Sequence, residues 1–307
     1  RQDPGPTPRD DGRRRKSASL SQVPETPFPG VETHFNGRQY AILDAGAQTI
    51  AWEPAGQLPV LWLSPLADFD PGNAVRGGVP VVFPWFGNGP DGNRQPKHGF
   101  ARTALWHRAE VTETVKETGE LTVRYTLGAA DVPDRPDAAE FPSFAAELTA
   151  SFGNAALTTT LTITNTGVQP FTYEEGLHTY LKVCDVTRVS VSGLEGCSYT
   201  DTATGAAPTR QLQTEPVRFD GEIDRIYDCA GPVEVDDPGF SRRIRLTTHG
   251  AANTVVWNPG RTLGKSVRDI GQYWSEFVCV EAANVRSAAI TLAPGEQHAL
   301  SQHVGLL

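Results

Sequence analysis

Along most of the chain apolar residues recur at every second position, and nowhere for long at the three-to-four-residue spacing of a helix. "ALTTTLTITNTG", residues 156–167, shows it clearly: Leu157, Leu161 and Ile163 fall on one side of an extended segment, and Thr158, Thr160 and Thr162 on the other. "RQYAIL", "QTIAWEP", "PVLWLS", "VPVVFPW", "ALWHRAEVTET", "ELTVRYTLG", "SFAAELTASFG", "RVSVSG", "RRIRLTT", "NTVVWNP", "EFVCVEAANV" and "SAAITLAPG" share the enrichment in Val, Ile, Thr and aromatics that marks strands. Breakers such as Asn165-Thr166-Gly167, Asn258-Pro259-Gly260 and Pro294-Gly295 fall between them. The best helical candidate is short, around "RTLGKSVRDI". The pattern predicts an all-β fold of packed sheets rather than alternating β and α units. No repeat of fixed period and no linker after residue 22 is visible, so a loose N-terminal tail, 1–22, and one large β domain, 23–307, are expected.

Composition agrees with a globular chain: 307 residues, 38% hydrophobic and 21% charged, are enough for a large core. No run of about 18 apolar residues occurs and no apolar segment follows the basic N-terminal residues, so neither a membrane span nor a signal peptide is expected, and a cytoplasmic location is. The formal charge of −9 is uneven: residues 1–16 carry six Lys/Arg against three acids, leaving −12 on the rest. An acidic body argues against nucleic acid, whose phosphates need a basic face. The "RRRK" run reads as a solvated terminus. The four cysteines, Cys184, Cys197, Cys229 and Cys279, lie far apart with no CxxC and no nearby His, and read as buried thiols rather than a disulfide framework or a zinc site.

Four stretches carry candidate chemistry. In "RGGVPVVFPWFGNGPDGNRQPKHGFAR", residues 76–102, Arg76 precedes two glycines where the chain can bend closely past a ligand, and Lys97, His98 and Arg102 close a loop in which glycines and prolines forbid regular structure. Guanidinium forks and an ammonium converging there would make an anion site, and Trp85 and Phe86 would offer a flat face to a sugar ring. Surface arginines paired with local Asp, beside core aromatics, fit the same residues. In "YEEGLHTYLKV", His178 on a strand would point opposite to Leu177 and Thr179, and matters only if an acid faces it. In "EFVCVEAANV", Glu281 ends the apolar run Phe277 to Val280, either at the solvent or buried with a raised pKa suited to a base. In "GEIDRIYDC", Asp224 is either a turn cap or an acceptor for sugar hydroxyls.

Taken in order, "RGGVPVVFPWFG", "HGFAR", "LHTYLKV", "VSVSGLEGCSYTD", "EIDRIY", "VVWNPG" and "FVCVEAANV" resemble the aldose 1-epimerase (galactose mutarotase-like) superfamily, and within it the hexose-6-phosphate mutarotases, over residues 76–285. The resemblance implies a large antiparallel β-supersandwich and interconversion of the α and β anomers of a hexose 6-phosphate. By position it makes His178 the general acid and Glu281 the general base. Arg76, Lys97 and Arg102 would hold the phosphate, with His98 and Asp224 lining the sugar pocket. It implies a small-molecule sugar phosphate as partner, no metal, no other cofactor, and a monomer. Lys97 stands where some relatives are expected to carry Gln, which favours an anion; Glu174-Glu175 replaces small or apolar residues to no evident end. A mutarotase of unphosphorylated aldoses, a non-catalytic carbohydrate-binding or regulatory protein on the same scaffold, and a glycoside hydrolase or lyase are the competing readings, the hydrolase weakened because it would need two carboxylates flanking the bond.

Overall fold

The structure is a computed structural model and describes residues 28–206 and 209–307, so the expected tail at 1–22 lies outside the described residues. Most of the alternating segments are strands of two eight-stranded antiparallel sheets. One sheet runs Ser190–Ser192, Val233–Asp237, Arg242–His249, Gln297–Leu306, Ala156–Asn165, Phe144–Phe152, Glu120–Gly128, His107–Thr114 in spatial order. The other runs Arg210–Leu212, Ser198–Asp201, Ile223–Tyr227, Asn253–Asn258, Phe277–Asn284, Glu175–Leu177, Val81–Val82, with Tyr180–Lys182 paired to the opposite end of Phe277–Asn284. Two- and three-stranded sheets complete the β structure, and the helical candidate forms one short α-helix, Gly260–Ser266. The all-β supersandwich expected from the sequence is thus the architecture observed.

Both large sheets feed one apolar core. Leu157, Leu161 and Ile163 from the first sheet and Val256, Val278, Val280 and Ala282 from the second belong to the same buried cluster. Each such Val or Leu contributes roughly 1.5–3 kcal/mol on burial. The strand Phe277–Asn284 is buried at every position because both its faces are covered. Val278, Val280 and Ala282 point into the core, which by the period of two sends Phe277, Cys279, Glu281 and Ala283 to the other face. Glu281 is therefore in the middle of this strand, not at its end.

The strand expected across His178 is broken there. Glu175–Leu177 and Tyr180–Lys182 each pair with Phe277–Asn284, and His178-Thr179 forms the irregular step between them. A closed set of hydrogen bonds holds the step. Val280 N donates to Thr179 O at 3.1 Å. Thr179 Oγ1 donates to Gln302 Oε1 at 2.5 Å, and Gln302 Nε2 donates to Val280 O at 3.1 Å. Gln302 is a polar residue at an inward position of the ten-residue strand Gln297–Leu306, which the sequence pattern did not single out because Gln302 interrupts its apolar alternation.

The glycines of "RGG" have a steric reason. At Gly78, with φ of +63°, a Cβ would lie 2.0 Å from the Thr49 carbonyl oxygen, and at Gly77, with φ of +119°, 2.5 Å from that of Trp62. Arg76 is thus held by backbone threaded between two neighbouring segments.

The cysteine reading needs a correction: Cys197 and Cys229 form a disulfide. Their strands pair antiparallel with Tyr199 opposite Tyr227, and extending that register by two residues places the two cysteines face to face, 32 residues apart in sequence. Spacing alone hides such a register. Cys184 and Cys279 are free thiols, the latter buried. Among the described residues no helix is long and apolar enough to cross a membrane.

Replacing Gln302 with Leu leaves a buried hydroxyl and a buried carbonyl unpaired. The expected result is a loss of about 1–3 kcal/mol of stability for each group left unsatisfied, read as a fall in guanidinium midpoint at unchanged slope.

Candidate active site

A cavity of about 560 Å³ opens on the face of the second sheet away from the core. The seven residues to which the resemblance gives catalytic or binding roles all line it: Arg76, Lys97, His98, Arg102, His178, Asp224 and Glu281. They come from segments more than 200 residues apart, brought together by strand pairing. Asp224 and Ile226 project from Ile223–Tyr227, Val255 and Trp257 from Asn253–Asn258, and Glu281 from Phe277–Asn284, three consecutive strands. Asp224 lies within its strand rather than in a turn.

At the floor His178 Nδ1 stands 3.3 Å from Glu281 Oε1. Alignment is too poor for a hydrogen bond, and both His178 Nδ1 and Glu281 Oε2 are buried without a partner. The His178 ring stacks on Tyr180 at 4.7 Å with only 5° between planes, and Trp257 meets its edge at 5.9 Å. Tyr180 in turn accepts from Arg76 Nη1 at 3.0 Å, and Arg76 Nε donates to Asp269 Oδ2 at 3.1 Å. Imidazole, phenol and guanidinium are thereby fixed as one unit.

Burial dominates the electrostatics. It holds the His178 imidazole well below its ordinary pKa, and the positive field of Arg76, Arg102 and Lys97 lowers it further. It pushes the Glu281 carboxyl well above the usual carboxylate range, with Asp224 adding to the rise. Asp224 itself is raised by burial. Both members of the floor pair thus favour their neutral forms. Arg76 stays firmly charged, because Tyr180 and Asp269 outweigh its burial. Arg102 is less well compensated: burial brings it down to about 10, Nη2 donates to Lys97 O at 2.5 Å, and Nε is buried with no partner. Lys97 makes no ion pair among the described residues. A cavity holding a half-buried, under-compensated guanidinium beside a free ammonium is suited to an anion.

His98 joins the wall through a reciprocal pair of bonds. Its N donates to Gly87 O at 2.6 Å, and Gly87 N donates to its Nδ1 at 3.1 Å. An accepting Nδ1 leaves Nε2 as the protonated, donating nitrogen, and burial keeps the ring neutral. The other expectations for this loop divide. Phe86 lines the cavity, whereas Trp85 is core, its indole donating to Pro96 O at 2.9 Å. Trp85 therefore offers no sugar face; Trp257, read from sequence only as part of a strand, does. Arg94 is turned away, bonded to Glu140 at 2.7 Å and lying over the Trp85 ring.

The Glu-Glu pair now has a structural account. Glu174 accepts from Phe86 N at 2.9 Å and from Arg286 N at 2.6 Å, tying two cavity walls together. Glu175 is buried beneath, against Asn284 at 2.8 Å and His298 at 3.2 Å. Arg286 and Thr202 line the cavity without any signal in the sequence reading.

A buried histidine–carboxyl pair beside oriented polar groups and an aromatic wall, carried on paired antiparallel sheets, is an arrangement suited to moving protons on a molecule of sugar size. Comparison with known proteins agrees. The family model described as aldose 1-epimerase matches residues 31–305. A protein of Escherichia coli K12 described as "Putative glucose-6-phosphate 1-epimerase" is 35% identical over 78% of this chain and 77% of its own. One of the same description from Cenchrus ciliaris is 32% identical over 82% of this chain and 76% of its own. The crystal structure of a "putative mutarotase (YeaD)" from Salmonella typhimurium superposes with a TM-score of 0.78 at 26% identity, covering 92% of this chain and 95% of that one. The chain belongs to the aldose 1-epimerase family and is an epimerase, an isomerase acting on sugars.

The field acting on His178 can be read directly. In histidine NMR titrations its imidazole is expected to stay neutral below pH 6.5, and inorganic phosphate, by offsetting the cations, to raise its midpoint. A midpoint at or above 6.5 in the free protein would contradict the burial argument.

Proposed function

We propose that the protein interconverts the α and β anomers of a hexose 6-phosphate, glucose 6-phosphate being the first candidate. The observation that carries the reading is the pairing, in one cavity, of the His178/Glu281 contact at 3.3 Å with an under-compensated cationic cluster at Arg102 and Lys97. Relatives at 32–35% identity described as "Putative glucose-6-phosphate 1-epimerase" support the choice of substrate.

Anomerisation opens the hemiacetal, turns the aldehyde face and closes it again. In this reading Glu281 takes the proton of the C1 hydroxyl while His178 gives one to the ring oxygen, so the C1–O5 bond breaks and a carbonyl forms. The pair carries one proton throughout. Imidazolium with carboxylate stands before opening, and imidazole with carboxylic acid after it; closure on the other face returns the proton. The empty pocket favours the second arrangement. A phosphate dianion among Arg76, Lys97 and Arg102 cancels the field that holds His178 down, so substrate binding moves the proton toward the arrangement that opens the ring. Neutral His98 donates from Nε2 and Asp224 accepts, fixing hydroxyls, while Trp257 and Phe86 meet the ring faces. General acid and base catalysis each supply about 10²- to 10⁴-fold, together roughly 5–11 kcal/mol at about 1.36 kcal/mol per decade. That suits a reaction water already permits.

Either His178→Ala or Glu281→Gln is expected to remove at least about 10²-fold of the acceleration while leaving the fold intact, as followed by polarimetry or exchange NMR on glucose 6-phosphate. Near-native rates in both would sink the acid–base assignment. Arg102→Ala is expected to raise KM for glucose 6-phosphate at least about tenfold more than for glucose, on the scale of a charge-assisted contact worth about 1.5–3 kcal/mol. Equal changes for the two sugars would instead favour a mutarotase of unphosphorylated aldoses.

A further inference from the structure

Behind the cavity floor, in the buried cluster of Trp62, Tyr180, Ile270 and Phe277, lies a third group that anomerisation does not use. Cys279 and Glu281 lie two residues apart on one face of Phe277–Asn284, and one donor atom from each, with one from His178, fall within 4.8 Å of one another, all three residues buried. Cys279 and His178 lie 101 residues apart in the chain, and the break at His178 brings them together. We propose that His178, Cys279 and Glu281 form a binding site for a thiophilic divalent cation of the zinc class, and that an ion bound there shuts the active site down.

Geometry is the main argument. A tetrahedral ion with Zn–N of about 2.0–2.1 Å and Zn–O of about 2.0–2.2 Å sets nitrogen and oxygen about 3.4 Å apart. His178 Nδ1 and Glu281 Oε1 stand at 3.3 Å, misaligned for a hydrogen bond, and Nδ1 is buried with no other partner. A sulfur in the same shell would sit about 3.5–3.6 Å from each, so Cys279 needs to move by on the order of 1 Å. Three protein ligands of these types, with the fourth position open to the cavity, form the donor set of a zinc site that keeps an exchangeable ligand. Binding breaks the S–H bond of Cys279 and removes the proton that Glu281 holds, forms one bond to sulfur, one to oxygen and one to neutral imidazole, and releases the protons to solvent. Thiolate and carboxylate together cancel the ion's charge. The complex adds no net charge to a site already facing Arg76, Lys97 and Arg102. Both proton-carrying groups of the proposed reaction are then occupied.

The binding claim stands on this geometry alone; only the loss of rate rests on the proposed anomerisation. The test uses the whole chain, metal-free, titrated first with Co²⁺ and then with Zn²⁺. The expected result is one equivalent of cobalt with a thiolate-to-cobalt charge-transfer band, displaced by zinc. The band should survive Cys184→Ser, which removes the exposed free thiol, and vanish in Cys279→Ser, with zinc affinity falling at least about tenfold. Glu281→Gln, which keeps the thiol, should weaken zinc by a similar factor and covers the case in which Cys279→Ser does not fold. Zinc should slow anomerisation, each protein being compared with its own metal-free rate, and less so as sugar phosphate rises. Absence of the band, or a band that follows Cys184, overturns the site. Stoichiometric zinc at Cys279 with an undiminished rate overturns the inhibition. A protein inactive without metal that still shows the band refutes the anomerase reading and leaves the binding claim intact.

Discussion

The site depends on one defect in a sheet, the step at His178-Thr179, and on the hydrogen bonds that make it a single defined conformation. A regular strand across this position would carry His178 along the ladder rather than over Glu281. The step instead costs backbone pairing, which Gln302 offsets by bonding Thr179 on one side of it and Val280 on the other. The residue after the histidine and the residue before the glutamate are therefore fixed to the same side chain. This explains why a glutamine occupies a core position in the strand Gln297–Leu306, where an apolar residue would pack but leave buried groups unsatisfied.

From that fixed pair the electrostatics follow. A histidine and a carboxyl buried side by side both resist charge, and only an incoming anion or cation changes the balance. The cations of the cavity are unequal: Arg76 already gives two of its five donors to Tyr180 and Asp269, and so holds the phenol against which His178 stacks. Arg102 and Lys97 have no carboxylate partner among the described residues. The same desolvation that primes the floor for proton transfer also makes it a place where a neutral metal complex is tolerated.

What was legible in the sequence was everything that repeats at short range. Period-two alternation identified most strands, turn residues marked their ends, and the short helix was found at its place. Candidate site residues stood out only weakly one at a time, as a histidine, a glutamate and an aspartate in strands and cations on a loop, and the resemblance of their motifs in order to a known family gave them roles. Their local settings were not legible. Glu281 was read at a strand end because a strand buried on both faces loses its alternation. Trp85 and Trp257 exchanged roles because an aromatic in a strand looks the same whether it faces core or cavity. Glu174 gave no sign of its task, since its partners are backbone amides of two remote loops.

The sequence by itself determined the fold class and the inventory of chemistry, because alternation, turns and side-chain types are properties of neighbouring residues. The tertiary structure alone decided which groups meet: His178 with Glu281 and Cys279, Cys197 with Cys229, Arg102 left without a carboxylate. Those meetings are set by sheet register and by one break in a strand. Register is a relation between segments distant along the chain, and no window of sequence contains it.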